Sequence, residues 1–241
     1  MSTAAPITPP PAAPRRDPSP RLWTDAEFAR MQLLDLFAGR DVQLVAGSVV
    51  DRHTGADFVF TRKEYYALDD NQFFQNQRVQ LIGGVILEET AVMNPPHATA
   101  IQLVAHACRL LFGAGHDVRC QLPINLGLVS EPEPDVAVVT GSPRDYLVDH
   151  PKTALLVIEV AESTVEADTH AKASLYAAGG IADYWVIDLV RDQVIVFRKP
   201  RPDAKAEFGA DYGELRVYHR DAKLSPLAAP TARVEVNDLL P

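Results

Sequence analysis

The sequence predicts an α/β protein in which a mixed central β-sheet is flanked by helices, with a helix-strand extension at its N-terminal side. Three stretches predict it. Between His97 and Phe112 the apolar residues Ile101, Val104, Ala105, Cys108, Leu111 and Phe112 recur at helical spacing, and Gly113 stops the pattern. ALLVIEVA at 154–161 is an almost continuous apolar run, the signature of a strand covered on both faces. YWVIDL at 184–189 and QVIVFR at 193–198 flank a short turn and read as a hairpin.

In chain order, residues 1–20 are rich in Pro, Ala and Ser and nearly devoid of bulky apolar side chains. Such a segment cannot bury enough surface to offset its ordering entropy, so a disordered tail is expected. Residues 21–59 follow as an extension that degenerately duplicates 60–87. Shifted by 37 positions, Trp23–Val50 overlays Phe60–Leu87 without a gap: Thr24 meets Thr61, Glu27 meets Glu64, Phe37 meets Phe74 and Gly47 meets Gly84. Each copy reads as a Thr-capped helix, a turn and a strand that ends in glycine. The main domain is expected at 60–241, with strands after the 97–112 helix at about 117–126, 134–139 and 154–161. A Ser-Thr-Val-Glu capping box at 163–166 opens a further helix that runs to Gly179-Gly180. Beyond the hairpin, a charged loop from Pro200 to about 213 leads to ELRVYH and a closing VEVNDLLP.

A chain of 241 residues with 47% hydrophobic content can bury a substantial core. No apolar run approaches the roughly 20 residues needed to span a bilayer, and the N-terminus lacks a signal core, so no membrane association and a cytoplasmic location are expected. Cys108 and Cys120 are too few for a disulfide framework and read as buried thiols. The formal net charge of −9 argues against unaided tight binding to a polyanion. It leaves room for a nuclease whose carboxylates hold a cation that meets the phosphate.

Three polar residues stand where a purely structural pattern would not put them. Asp135 follows EPEP at the start of a strand, Glu159 interrupts LLVIEVA, and Lys172 lies in the next helix with Leu175 and Tyr176 on its face. A carboxylate inside a buried strand is costly unless it is paired or binds metal. Phosphodiester cleavage needs a cation, a water nucleophile and a basic group beside it. Two carboxylates on adjacent strands suit Mg²⁺, for which Mn²⁺ can substitute, and a neighbouring lysine can orient or deprotonate the water. On spacing alone an alternative stands beside this one: Asp135 merely begins a strand, and Glu159 with Lys172 is a buried ion pair.

Around these residues the chain resembles the Uma-two family of bacterial proteins, which belongs to the PD-(D/E)XK restriction-endonuclease-like superfamily. The resemblance is carried by FTRKEYYAL, VQLIGGVI, NPPHATAIQLV, EPEPDVAVV, LLVIEVAEST and LYAAGGIADYWVIDL, in one order. It implies that Pro134-Asp135 is the PD motif, that Asp135 and Glu159 are the metal ligands, and that Lys172 replaces the lysine usually found where Ala161 stands. Asp168 matches an acidic family position assigned to the helix N-terminus. The family normally has Glu where this chain has Gln80, and commonly Asp where it has Gly83. Gln80 brings an amide oxygen without charge, and the duplicate copy offers only Gln43. Glu88 and Glu89, expected just beyond the strand, are candidate substitutes. His97 matches a family histidine that could contact a phosphate or support the site. His170 reads as exposed, and Tyr184 and Trp185 as core aromatics.

The function implied is divalent-metal-dependent endonucleolytic cleavage of DNA, with a homodimer following from the need for two sites to cut two strands. The alternative is a catalytically degenerate member that serves as a nucleic-acid or protein interaction module, motivated by Gln80, Gly83 and the acidic charge.

Overall fold

The computed structural model describes residues 18–89, 93–162 and 165–241, without the side chains of 167 and 168. Residues 1–17, the capping box begun by Ser163 and Thr164, and the side chain of Asp168 lie outside the described residues.

The chain enters through β1 (Ser19–Pro20), which pairs antiparallel with a later strand, so the last residues of the expected tail belong to a sheet. The duplicated segment then supplies two helix-hairpin units. The first is α1 (Asp25–Leu33), β2 (Val42–Val45) and β3 (Ser48–Asp51); the second is α2 (Arg62–Asp70), β4 (Arg78–Ile82) and β5 (Val85–Glu89). The glycines expected to end the strands instead turn the chain back. Ala46-Gly47 and Gly83-Gly84 all have positive φ, which is the backbone of a two-residue type I′ hairpin. That geometry accounts for Gly83 without reference to a metal site. Trp23, Met31, Phe37 and Phe58 from the first copy share one core with Phe60, Leu68, Phe74 and Leu81 from the second, continuous across position 59/60.

The main sheet follows. After α3 (Pro95–Phe112) come β6 (His116–Cys120), β7 (Val136–Thr140), β8 (Leu156–Ala161), α4 (Val165–Thr169), α5 (Ala171–Ala178), β9 (Asp183–Asp188), β10 (Gln193–Pro202) and β11 (Ala210–His219). Two short strands, β12 (Lys223–Leu224) and β13 (Val234–Glu235), close the chain. The six-stranded order is β11-β10-β9-β8-β7-β6, and β8 with β9 is its parallel pair. The two outer stretches differ from expectation. The strand expected to reach 126 stops at Cys120, because 121–135 leaves the sheet and docks on β4, where the Glu131 N–H donates to the Leu81 carbonyl. The loop expected from 200 to 213 shrinks because β10 and β11 extend into a ten-residue hairpin.

Alternation along β8 distributes the core. Leu156, Ile158 and Val160 meet α3 on one face, together with Val136, Trp185 and the C-terminal Leu239. Val157 and Ala161 meet Ala173, Tyr176 and Ala177 of α5 on the other, together with Tyr184. Tyr184 and Trp185 are thus core aromatics on opposite faces, as their adjacency on a strand requires. Cys108 and Cys120 are free thiols, and burial pushes the Cys108 thiol up to about 12.

Candidate active site

The two carboxylates are brought together by strand register. Val136 of β7 pairs with Ile158 of β8, and Ala137 with Val157. Asp135 stands immediately before β7, level with Glu159 of β8. Glu159 projects to the face covered by α5, whereas the Asp135 carboxylate reaches His97 of α3 and the backbone of β8. Both are buried, at 7% and 3% exposure.

Each carboxylate is held from two sides. The Val160 N–H donates to Asp135 Oδ2 at 2.9 Å, while His97 Nε2 and the Gln121 amide each stand 3.3 Å from Oδ1. His97 is fully buried and is the third residue of α3. The helix is opened by Asn94, whose Oδ1 accepts from the His97 N–H and whose amide donates to Glu162 beyond β8. This end of a helix carries the positive pole of its dipole, a favourable neighbour for Asp135. Burial alone would raise the Asp135 carboxyl, but His97, Lys172 and the Val160 N–H outweigh it and hold the group below its ordinary value.

On the α5 side, Lys172 Nζ lies 3.0 Å from Glu159 Oε2 and the Tyr176 hydroxyl donates to Oε1 at 2.7 Å. The helix expected to run unbroken from 163 is interrupted at His170, whose φ of −117° and ψ of −74° depart from helical values. Lys172 therefore occupies the first turn of α5, where a cation opposes the helix dipole, and Glu159 compensates it. His170 is exposed.

Sequence comparison decides what kind of protein carries this arrangement. A family model described as "Putative restriction endonuclease", Uma2, matches residues 62–236. The chain belongs to the Uma2 family. A crystal structure from Anabaena variabilis, described as a "putative nuclease belonging to DUF820", is 18% identical, covers 67% of this chain and 88% of its own, and superposes with a TM-score of 0.51. That likeness shows a shared fold. Comparison with curated proteins gives no match.

The Uma2 match spans Asp135, Glu159 and Lys172, and also Gln80. Gln80 is buried in β4, where its amide donates to Glu89 Oε1 at 3.3 Å and its carbonyl oxygen accepts from the Glu133 N–H at 3.4 Å. Gln80 thus touches the segment that leads to Asp135. Glu88 and Glu89 lie within β5, not beyond it. Gln80 pairs with Leu87 and Glu88 with Val79, so Glu88 projects from the opposite face and Glu89 from the same face as Gln80. Of the two, Glu89 is the one that meets Gln80.

The donor set fits a hard divalent ion through the oxygens of Asp135 and Glu159, since Mg²⁺ keeps several waters and is often held by one or two carboxylates. Among the described residues no cluster of three or more His, Cys, Asp or Glu side chains is arranged to hold a metal, and the His97 imidazole beside Asp135 serves as its hydrogen-bond partner. Two residues at the site had no assigned role in the sequence reading. Tyr176 had a signal, its spacing of four from Lys172 on one helix face. Gln121 had none, because it reaches Asp135 from a residue with φ of +51° just past β6.

Proposed function

We propose that this protein is a divalent-metal-dependent endonuclease that hydrolyses phosphodiester bonds in DNA, with Mg²⁺ as the resident ion and Mn²⁺ able to replace it. The observation that supports this most is the pair of buried carboxylates, Asp135 immediately before β7 and Glu159 on β8, with the Lys172 ammonium 3.0 Å from Glu159. A bound Mg²⁺ supplies neutralisation of phosphate charge and a more acidic water. Asp135 and Glu159 would hold it through carboxylate oxygens. As the ammonium, Lys172 orients the attacking water and its charge stabilises the negative oxygens that develop at phosphorus; Nζ takes the proton of that water only in its neutral form. His97 and Tyr176 fix the two carboxylates, so an ion bound by them would require little reorganisation. On this reading the protein works in the cytoplasm. Among the described residues no helix is long and apolar enough to cross a membrane.

The test is supercoiled plasmid cleavage by the purified full chain in Mg²⁺ or Mn²⁺. Wild type should nick or linearise it, Asp135→Ala and Glu159→Ala should be inactive, and Lys172→Ala should lose roughly 10²–10⁴ in rate. Equal cleavage by all four proteins would mean a contaminating nuclease and would defeat the proposal.

One observation supports a second reading, a degenerate member that binds nucleic acid or protein without cutting. Gln80 supplies a neutral amide where the family resemblance implies an acid. Calorimetric titration with Mn²⁺ separates the two. Absence of binding at millimolar metal favours the module; a site lost in Asp135→Ala favours the enzyme.

A further inference from the structure

β11 forms one edge of the main sheet, and among the described residues it pairs only with β10. Ten residues long, it lies at the upper end of the usual strand length and well above the common five or six. Leu215 and Val217 are 56% and 43% exposed on it. An edge of this kind is a template for another strand unless it is covered, broken or charged. Its charges are Asp211, Glu214 and Arg216, and the last two have opposite sign and flank Leu215 symmetrically.

We propose that β11 is the surface through which two copies of this chain pair, strand against antiparallel strand, with the two-fold axis at Leu215. In that register Glu214 faces the partner's Arg216, and Arg216 faces the partner's Glu214. Leu215 meets its own counterpart, and Val217 falls opposite Gly213, which has no side chain to obstruct it. The ends agree as well, because Asp211 falls opposite His219. Moving the axis by one residue sets Glu214 against Glu214 or Arg216 against Arg216, so charge selects a single register. Within one chain Glu214 already accepts from Lys199 at 2.8 Å and from Arg216 at 2.6 Å. Pairing exchanges the second of these for two equivalent contacts across the axis, and Lys199 stays in place.

The six-stranded sheet becomes a continuous twelve-stranded one. Seven strand spacings then separate β8 from its copy, about 34 Å along the sheet at ~4.8 Å per spacing. The two sites would act on separate phosphodiester bonds. The interface involves none of Asp135, Glu159 or Lys172, so it stands or falls independently of metal-dependent cleavage.

Sedimentation velocity of the full chain over a wide concentration range tests the pairing. Wild type should show a concentration-dependent dimer. Arg216→Glu should weaken it by about tenfold or more, because two attractive cross-strand pairs become repulsive. The double exchange Glu214→Arg with Arg216→Glu should restore it. Arg216 is exposed and Glu214 lies on the strand edge, and unchanged far-ultraviolet circular dichroism would show that the variants fold. Wild type that stays monomeric at every concentration, a dimer indifferent to Arg216→Glu, or a double exchange that fails to restore association would each overturn the proposal.

Discussion

A carboxylate on a strand covered on both faces survives only when its surroundings complete its hydrogen bonds. At Glu159 the Tyr176 hydroxyl and the Lys172 ammonium do so. Tyr176→Phe should therefore lower stability by about 1–2 kcal/mol, measurable by urea denaturation, and should weaken metal-dependent cleavage through a loosened carboxylate. Asp135 carries a pH dependence. Burial works against its ionised form, but His97, Lys172 and the Val160 N–H keep its folded pKa below the unfolded value. The sign follows: the stability it contributes is present above the ordinary carboxylate range and is lost as pH falls through the depressed value. Denaturation series for wild type and Asp135→Asn should differ most near neutrality and converge in acid. A gap that widened on acidification would contradict this. Glu159 was legible in the sequence because it breaks an apolar run, and Asp135 because it follows EPEP. Gln121 was not, since its contact with Asp135 depends on where the chain leaves β6.

Local helix chemistry was well written in the sequence. The Glu27 N–H donates to Thr24 Oγ1 while the Thr24 N–H donates to Glu27, and in the second copy the Thr61 N–H donates to Glu64. What the pattern concealed was the second half of each hairpin, because a glycine after an apolar strand can end it or reverse it. The reversal depends on positive φ at both turn residues and on close packing. A Cβ at Gly84 would stand 2.3 Å from Val59 Cγ1, at φ of +81°. Gly84→Ala is expected to cost about 2–4 kcal/mol, visible as a lowered thermal midpoint. Thr24→Ala, which removes only a cap on α1, should cost about 1 kcal/mol. The break at His170 was also illegible, because Asp168, Thr169 and His170 are weak helix formers without being helix stops such as Gly or Pro.

At the scale of the molecule, the duplicated segment is not an independent appendage to the second copy. Its core interleaves Trp23, Met31 and Phe37 with Leu68, Phe74 and Leu81. A chain that starts at residue 60 would expose that face of α2 and β4, the strand that carries Gln80. It should be less soluble and melt at a lower temperature than the full chain in a calorimetric scan; equal melting would show that the second copy needs no cover. Periodicity, capping residues and turn formers act over a few neighbours, and these by themselves determined the helices, most strands and the repeat, and marked Asp135, Glu159 and Lys172 as candidates. Tertiary structure alone decided that the start of β7 runs beside β8 and sets Asp135 near Glu159, that His97 reaches Asp135 across 38 positions, and that Glu89 rather than Glu88 meets Gln80. Those outcomes depend on strand order and register, which are set by how whole faces of the sheet bury against α3 and α5, a long-range choice that no local pattern encodes.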